Sequence, residues 1–195
     1  MRRSPQHYRQ VYLVWAFVCV VGSGGLVACG DDDGAAPQVF ADDIPVAHTP
    51  PGGYGDTLPA PILDTCTEPL VEGAPDLRGT WEVIAVERGG RPVPETDPVY
   101  AHIERIEQCG DRLIVIGGGV IHDMRCDGTE ENGVHDVSAT TGQPIHVVAT
   151  FENDVHVLRP VGIAGIEVTR RLDGDEMIWT YIGFVARLRH MDSDS

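Results

Sequence analysis

Short runs of alternating hydrophobic and polar residues dominate the chain from residue 78 onward. Between residues 78 and 191, no ten-residue stretch keeps a helical period, whereas β-branched and aromatic runs recur between turn-forming residues. This pattern predicts an all-β fold. The ten predicted strands span residues 80–87, 101–107, 112–116, 120–125, 134–139, 145–151, 155–159, 165–171, 176–182 and 184–190.

The connections between these strands are short and rich in turn residues. Asn153-Asp154, Asp173-Gly174 and the glycines at 117–119 tolerate positive φ and predict tight hairpins. Successive strands are then antiparallel neighbours, because a Greek-key arrangement needs longer crossovers. We therefore predict a small antiparallel up-and-down barrel of about 8–10 strands, whose interior has room for one small ligand.

The start of the chain has the pattern of an export signal. Residues 1–10 carry three arginines and no acid, and residues 11–27 are apolar apart from a glycine-serine cluster at 22–25. A basic segment followed by an apolar run is typical of a secretory signal peptide. A permanent transmembrane helix is less favoured, because it needs about 20 uninterrupted apolar residues.

Residues 26–29 read Leu-Val-Ala-Cys and resemble the lipobox of bacterial lipoproteins. The resemblance implies cleavage after residue 28 and attachment of diacylglycerol to Cys29, whose acyl chains then hold the protein on a membrane. Gly30 rather than an aspartate follows the cysteine, which in such lipoproteins favours the outer membrane over the inner membrane. We expect a lipid-anchored protein of the bacterial cell envelope.

Composition separates the next segment from the predicted barrel. Residues 30–75 contain six glycines, eight prolines, nine acidic residues and no arginine, which predicts a disordered acidic linker over residues 29–75. Apolar residues within 61–70 allow its end to dock on the folded part. The predicted organisation is a signal peptide over 1–28, this linker, and a barrel domain over 76–195.

The charge of the chain argues against one class of partner. All 14 basic residues are arginines, and 30 aspartates and glutamates bring the net charge to −16. Nucleic-acid binding depends on a cationic surface, so it is not expected. Without lysine, Schiff-base and P-loop lysine chemistry are excluded as well. We expect a monomer without a cofactor.

The first predicted strand carries a second family resemblance. Gly79-Thr80-Trp81 resembles the G-x-W opening of lipocalin-like proteins of the calycin group. The resemblance implies that the glycine allows a tight turn, that the indole closes one end of the barrel, and that Arg187 or Arg189 of the last strand stacks on it. The alternative is that Trp81 is an ordinary core residue of a β-sandwich.

A lipocalin-like barrel implies a small, mostly apolar ligand held by inward-facing side chains, in a binding protein rather than an enzyme. An interior cavity above about 300 Å³ would favour this function. In a filled barrel the same residues form a solid core, and the protein is then an interaction module. The residues expected to contact the ligand are Val83, Leu113, Val115, Phe151, Met177, Trp179 and Tyr181, with Ala85, Ile145 and Val147 as further wall residues.

Histidines are the candidates for a metal site. A zinc site needs three or four convergent ligands, and side-chain alternation gives mixed support for convergence. The favoured interpretation is that they fill polar positions in a chain without lysine, so no metal is expected, and a metal enzyme is the third hypothesis. The five histidines in predicted strands are His102, His122, His135, His146 and His156.

Two predictions concern charged side chains. Glu104 and Glu107 are three residues apart on one strand, so they face opposite ways and do not form a catalytic carboxylate pair. Arg171 is expected opposite Glu176 across the Asp173-Gly174 turn, where the two form a surface ion pair.

Three cysteines lie beyond the leader, and an exported compartment permits disulfides. A turn at residues 117–118 places Cys109 opposite Cys126, and this pairing is favoured. A separate turn at 110–111 would end that hairpin before Cys109. Cys66 is then the competing partner, and it would pin the linker to the barrel.

Overall fold

The computed structural model describes residues 37–191, which belong to one compact unit. The predicted leader and Cys29 lie outside these residues. Within them, the only helical elements are two 3₁₀ turns, and no helix is long and apolar enough to cross a membrane. The strands are β1 (Gly79–Arg88), β2 (Arg91–Pro92), β3 (Ile103–Cys109), β4 (Arg112–Gly117), β5 (Val120–Arg125), β6 (Val134–Val137), β7 (Pro144–Phe151), β8 (Val155–Pro160), β9 (Val168–Asp173), β10 (Glu176–Tyr181) and β11 (Phe184–His190).

These strands confirm the predicted all-β fold. All ten predicted strands are present, with ends that differ by at most three residues from those expected, and β2 is the one strand that was not predicted. Period-two alternation is a local property of each strand, which is why the sequence locates the strands well.

The sheet is an antiparallel meander that nearly closes on itself. The strand order is β5-β4-β3-β1-β11-β10-β9-β8-β7-β6, and β2 pairs only with β1. Pairing of β1 with β11 joins the first strand to the last. No ladder joins β5 to β6, but the amide of Arg125 donates to the carbonyl of Asn132 over 2.8 Å. The predicted up-and-down barrel is therefore confirmed, with one seam between β5 and β6.

Alternation along the strands places one apolar face in the barrel interior. Trp81 and Val83 on β1, Leu113 on β4 and Leu188 on β11 are buried there in a single cluster. The register of β1 against β11 shifts between Val83 and Ala85. This irregularity turns Val86 into the core, whereas Ala85, expected in the wall, is only partly buried.

Residues 37–75, here called the N-terminal arm, differ from the disordered linker predicted by composition. They lie on the outer side of β3, β4 and β5, where Ala41 and Leu63 of the arm form a second apolar cluster with Ile114, Ile116 and Ile121. These three isoleucines leave an apolar stripe on the outside of the barrel. Covering that stripe favours an ordered arm, and this contribution is not visible in the arm's own composition.

Buried polar side chains of the barrel fix the arm's backbone. The Arg112 guanidinium donates to the carbonyls of residues 41, 44 and 45 over 2.6–2.9 Å and is paired with Asp123. The Glu107 carboxylate accepts from the amides of residues 62 and 63 over 2.7 Å. Because buried backbone groups need partners, these side chains hold the arm in a defined path.

The arm also crosses the seam between β5 and β6. The Thr49 amide donates to Asp136 of β6 over 2.9 Å, and the Ile121 amide of β5 donates to the Thr49 hydroxyl over 2.9 Å. Thr49 of the arm therefore links β5 and β6, which are not paired with each other in the sheet.

The disulfide joins Cys66 to Cys109, with 6.1 Å between their Cα atoms, so the favoured Cys109–Cys126 pairing is wrong. The β4–β5 turn pairs Gly117 with Val120, one residue later than predicted on each strand. Cys109 also lies in the outer cluster, whereas Cys126 is free and lies in the inner one. The two thiols therefore face opposite sides of the wall, and the competing prediction, a bond from the arm to the barrel, is confirmed.

Candidate functional site

All seven residues predicted to contact a ligand belong to the inner face of the barrel. Five are buried in the inner cluster, and Phe151 and Tyr181 are partly buried against it. Val147 is buried there too, and Ile145 packs against the cluster. Strand alternation thus locates the wall, except at the β1 irregularity. The five buried ones are Val83, Leu113, Val115, Met177 and Trp179.

Trp81 is buried in the inner cluster and packs against His190. Its indole nitrogen donates to the Leu77 carbonyl over 2.8 Å, and its ring lies 4.7 Å from that of His190 in an edge-on arrangement. Gly79 has φ 132°, and a Cβ at that position would lie 1.9 Å from Nε2 of His190. The glycine of the G-x-W sequence therefore provides the backbone conformation, and a side chain there would displace the exposed His190 ring.

Arg187 and Arg189 do not stack on Trp81. Arg187 binds Glu176 and Asp173 on the outer surface, and Arg189 binds Glu82 there. Alternation along β11 gives both arginines the face opposite to Leu188, so they cannot reach the interior. His190, opposite Trp81 in the β1–β11 ladder, occupies the place where the resemblance implied an arginine.

An ion pair crosses the barrel interior. Nε and Nη2 of Arg170 on β9 donate to the two carboxylate oxygens of Glu104 on β3 over 2.8 and 2.9 Å. The strands β1, β11 and β10 separate β3 from β9 in the sheet, so the pair links distant parts of the wall. Burial by itself raises the pKa of Glu104, but Arg170 and the nearby His102 outweigh it and hold that pKa well below its ordinary value.

Three neighbouring strands carry a row of polar side chains, here called the polar row: His156, Arg170 and Trp179. The ladders place His156 opposite Arg170 and Arg170 opposite Trp179. The guanidinium carbon of Arg170 lies 5.3 Å from the centre of the Trp179 ring. The three side chains therefore lie side by side on the inner face, and Arg170 connects them to the ion pair.

Four nitrogen atoms of the polar row have no hydrogen-bond partner among the described residues. They are Nη1 of Arg170, Nε1 of Trp179 and both ring nitrogens of His156, and all four are buried. Burial, with the charge of Arg170, lowers the pKa of His156 to about 3, so its ring is neutral at physiological pH. A neutral imidazole offers one donor and one acceptor, so the row presents three donor groups and one acceptor.

Two further residues support the ion pair. The ring of His102 lies 4.7 Å from that of Trp179, and its Nε2 is 3.3 Å from a Glu104 oxygen. A Cβ at Gly117 would lie only 2.9 Å from Cβ of Glu104 and 3.1 Å from Cε1 of His102, so the absence of a side chain there makes room for both residues. Glu104 is therefore tightly packed between Gly117, His102 and Arg170.

The histidines divide between the two faces. His102 and His156 contact interior groups, whereas His135 and His146 face each other across the β6–β7 ladder on the outside, with rings 4.6 Å apart. His122 lies 2.9 Å from the Val137 carbonyl across the seam, and burial lowers its pKa.

Within residues 37–191, one group alone brings three potential metal-ligating atoms within 4.8 Å of one another, and it consists of Cys66, Glu68 and Cys109. The two sulfurs are bonded to each other in the disulfide, so this group is not a metal site. The histidines of the described barrel are not gathered around one point at coordination distance.

A cavity of about 390 Å³ lies between the arm and the seam. Arm residues 41–48 form one side of it, and Asp123, Arg125, Glu131 and His135 contribute to the other. Its volume exceeds the value expected for a carrier, but it lies against the outer side of the wall. It is therefore distinct from the interior site that the sequence predicted.

The sequence did not predict the polar row or the ion pair between Glu104 and Arg170. Arg171 was expected to pair with Glu176, but the ladder places Arg171 opposite Ile178, and Glu176 binds Arg187 instead. Arg170 lies two residues after Val168 on β9, so the two side chains face the same side of the strand. The apolar Val168 was the available sign that this side is the interior. Glu104 and Glu107 do face opposite ways, as predicted.

No protein-family model and no curated protein matches this chain. Solved structures of barrels do match. The ileal bile acid-binding protein of zebrafish, complexed with cholic acid, is 16% identical with a TM-score of 0.44, and the match covers 58% of this chain and 98% of that one. Human cRBP IV is 15% identical with a TM-score of 0.41, covering 60% and 98% respectively. This likeness is one of fold alone.

Proposed function

We propose that this protein binds one small, mostly apolar molecule inside its barrel, with a polar group of that molecule at the polar row. The observation that carries the proposal is the set of four buried nitrogen atoms without partners. Leaving a buried polar group unpaired costs about 1–3 kcal/mol, so a fold keeps several together only where something else satisfies them. A ligand group in contact with Arg170, Trp179 and His156 would supply those partners.

The apolar part of the ligand would lie against aromatic side chains beside the row. Phe184 is 5.0 Å from the ring of Trp179 and 5.5 Å from that of Tyr181. Phe184, Tyr181 and Phe151 are only partly buried, so they retain apolar surface that a ligand would cover. Each Å² of apolar surface removed from water contributes about 25 cal/mol.

A titration with an apolar fluorescent probe tests this function. Residues 30–195, which retain the whole described unit, should bind the probe saturably with one site per chain. Arg170→Met should weaken binding, because it removes a donor of the polar row, whereas Arg171→Met on the outer face is the matched control and should not. The proposal would be contradicted if none of the apolar probes tested binds at a saturable site.

A second candidate, a non-enzymatic interaction module with a filled barrel, is supported by the 390 Å³ cavity on the outer wall. In that case the partner would occupy the space between the arm and the seam, and the interior would serve only as a core. Substitution of His48, which lines that cavity, would then disturb binding of the natural partner. Saturable probe binding that depends on Arg170 argues against this candidate.

We further propose that Cys29 is lipidated and that the protein is held at the bacterial cell envelope, on the outer membrane. The support is the lipobox-like sequence at residues 26–29 after a basic and apolar leader, with Gly30 following the cysteine. Labelling of cells with a palmitate analogue should mark the wild-type protein and not Cys29→Ser. Equal labelling of the two, or none of either, would contradict the anchor.

A further inference from the structure

We infer that the polar group of the ligand is neutral, such as a hydroxyl, and not a carboxylate. This inference rests on the proposed function, since it concerns the same interior site. It follows from two features of that site: Glu104 already balances the charge of Arg170, and the unpartnered nitrogen atoms include both donors and an acceptor.

The charge of the interior ion pair disfavours a second anion beside it. Arg170 is the cation of the polar row, and two of its nitrogens are already engaged by both oxygens of Glu104. The side chains of this pair are 5% and 1% exposed, so water screens them little. A carboxylate at the free Nη1 would lie within about 4–6 Å of the Glu104 carboxylate, and two like charges at that separation disfavour each other strongly in a buried site.

The unpartnered nitrogen atoms of the polar row also favour a group that both accepts and donates hydrogen bonds. The unpartnered nitrogens of Arg170 and Trp179 are donors only, and the neutral ring of His156 has one nitrogen that must accept. A hydroxyl oxygen can accept hydrogen bonds from these donors, and its O–H can donate a hydrogen bond to the accepting nitrogen of His156. A carboxylate has no proton to give, so it would leave that ring nitrogen unpaired and add an uncompensated charge.

The remaining contact with Glu104 does not change this conclusion. His102 approaches the oxygen of Glu104 that also accepts from Nη2 of Arg170. Both oxygens of Glu104 therefore already have partners, and one of them has two. The ligand group faces an ion pair that is already complete.

A pair of ligands with equal chain length tests the inference. Decan-1-ol and decanoate would compete with the bound fluorescent probe on residues 30–195 at pH 7.4. We expect decan-1-ol to bind at least tenfold more tightly than decanoate. Equal or tighter binding of decanoate, or no displacement of the probe by decan-1-ol, overturns this inference and leaves the proposed function intact, whereas the absence of saturable probe binding overturns both.

A charge variant sharpens the test. Glu104→Gln removes the compensating anion, so the preference should move toward decanoate by tenfold or more, while Glu87→Gln on the exposed outer face should leave it unchanged. An unchanged preference in folded Glu104→Gln overturns the inference. If that variant does not fold, Trp179→Phe keeps an aromatic ring without the N–H donor. It should weaken decan-1-ol binding about fivefold, and full retention of that binding overturns the inference.

Discussion

The ion pair across the barrel interior allows a quantitative stability prediction. Arg170→Met keeps the length of the side chain but removes its charge, so Glu104 is left buried with His102 as its remaining polar neighbour. Removing one partner of a buried pair costs about 3–5 kcal/mol, because the other charge stays desolvated and uncompensated. Glu104→Gln should cost a similar amount, for the same reason with the sign of the charge reversed.

The double variant separates compensation from simple packing. If the two costs were independent, the double variant would lose about 6–10 kcal/mol, which is as much as a typical domain's whole stability. Because neither charge remains in it, we expect a loss of only about 0–2 kcal/mol. The coupling free energy would then be at least about 4 kcal/mol.

Urea unfolding of residues 30–195, followed by tryptophan fluorescence, measures these values. Arg171→Met is the matched control, since it lies next in sequence on the exposed face and should change stability by less than about 0.5 kcal/mol. Equal losses of stability in the two arginine variants, or a loss in the double variant equal to the sum of the single ones, would contradict charge compensation within the ion pair.

Other substitutions test the backbone at Gly79, the buried imidazole and the arm. Gly79→Ala forces an L side chain into a backbone φ of 132° and displaces the His190 ring, so it should cost about 1–3 kcal/mol in urea unfolding; no measurable loss would contradict the predicted strain. Between pH 6.5 and 4.5 the wild-type free energy of unfolding should fall, because His156 takes up a proton only when unfolded; its share is at most about 1.4 kcal/mol per pH unit. His156→Gln should flatten that slope and exposed His146→Gln should not, and the same slope in both would count against burial as its cause. Arg112→Met removes three hydrogen bonds to arm carbonyls, so proteolysis within the arm should accelerate about tenfold, and an unchanged cleavage pattern would show that the arm is held otherwise.

The strands and their meander were predictable because both depend on local patterns. Alternation defines each strand, and turn pairs such as Asn153-Asp154, with φ of 52° and 61°, define the connections. The same local reasoning failed where register mattered. A shift of one residue at the β4–β5 turn removed the support for a bond between Cys109 and Cys126.

The arm and the polar row were not predictable, because each depends on residues distant in sequence. The arm is ordered by an apolar stripe on β4 and β5, which its own composition does not reveal. Glu104 and Arg170 are 66 residues apart, and their pairing depends on how the sheet curves round to face itself. Arg187 was assigned by resemblance to an interior role, although alternation on β11 places it outside.

The tryptophan side chains provide the most direct test of the central claim, that a ligand's polar group lies at the polar row. Residues 30–195 contain two tryptophans, Trp81, whose indole N–H already donates to Leu77, and Trp179, whose indole nitrogen has no partner. The two indole signals in a ¹H–¹⁵N spectrum can be assigned with Trp179→Phe. Titration with decan-1-ol should shift the Trp179 signal saturably and leave that of Trp81 in place. A Trp179 signal that does not move while the alcohol binds would show that the ligand's polar group lies elsewhere.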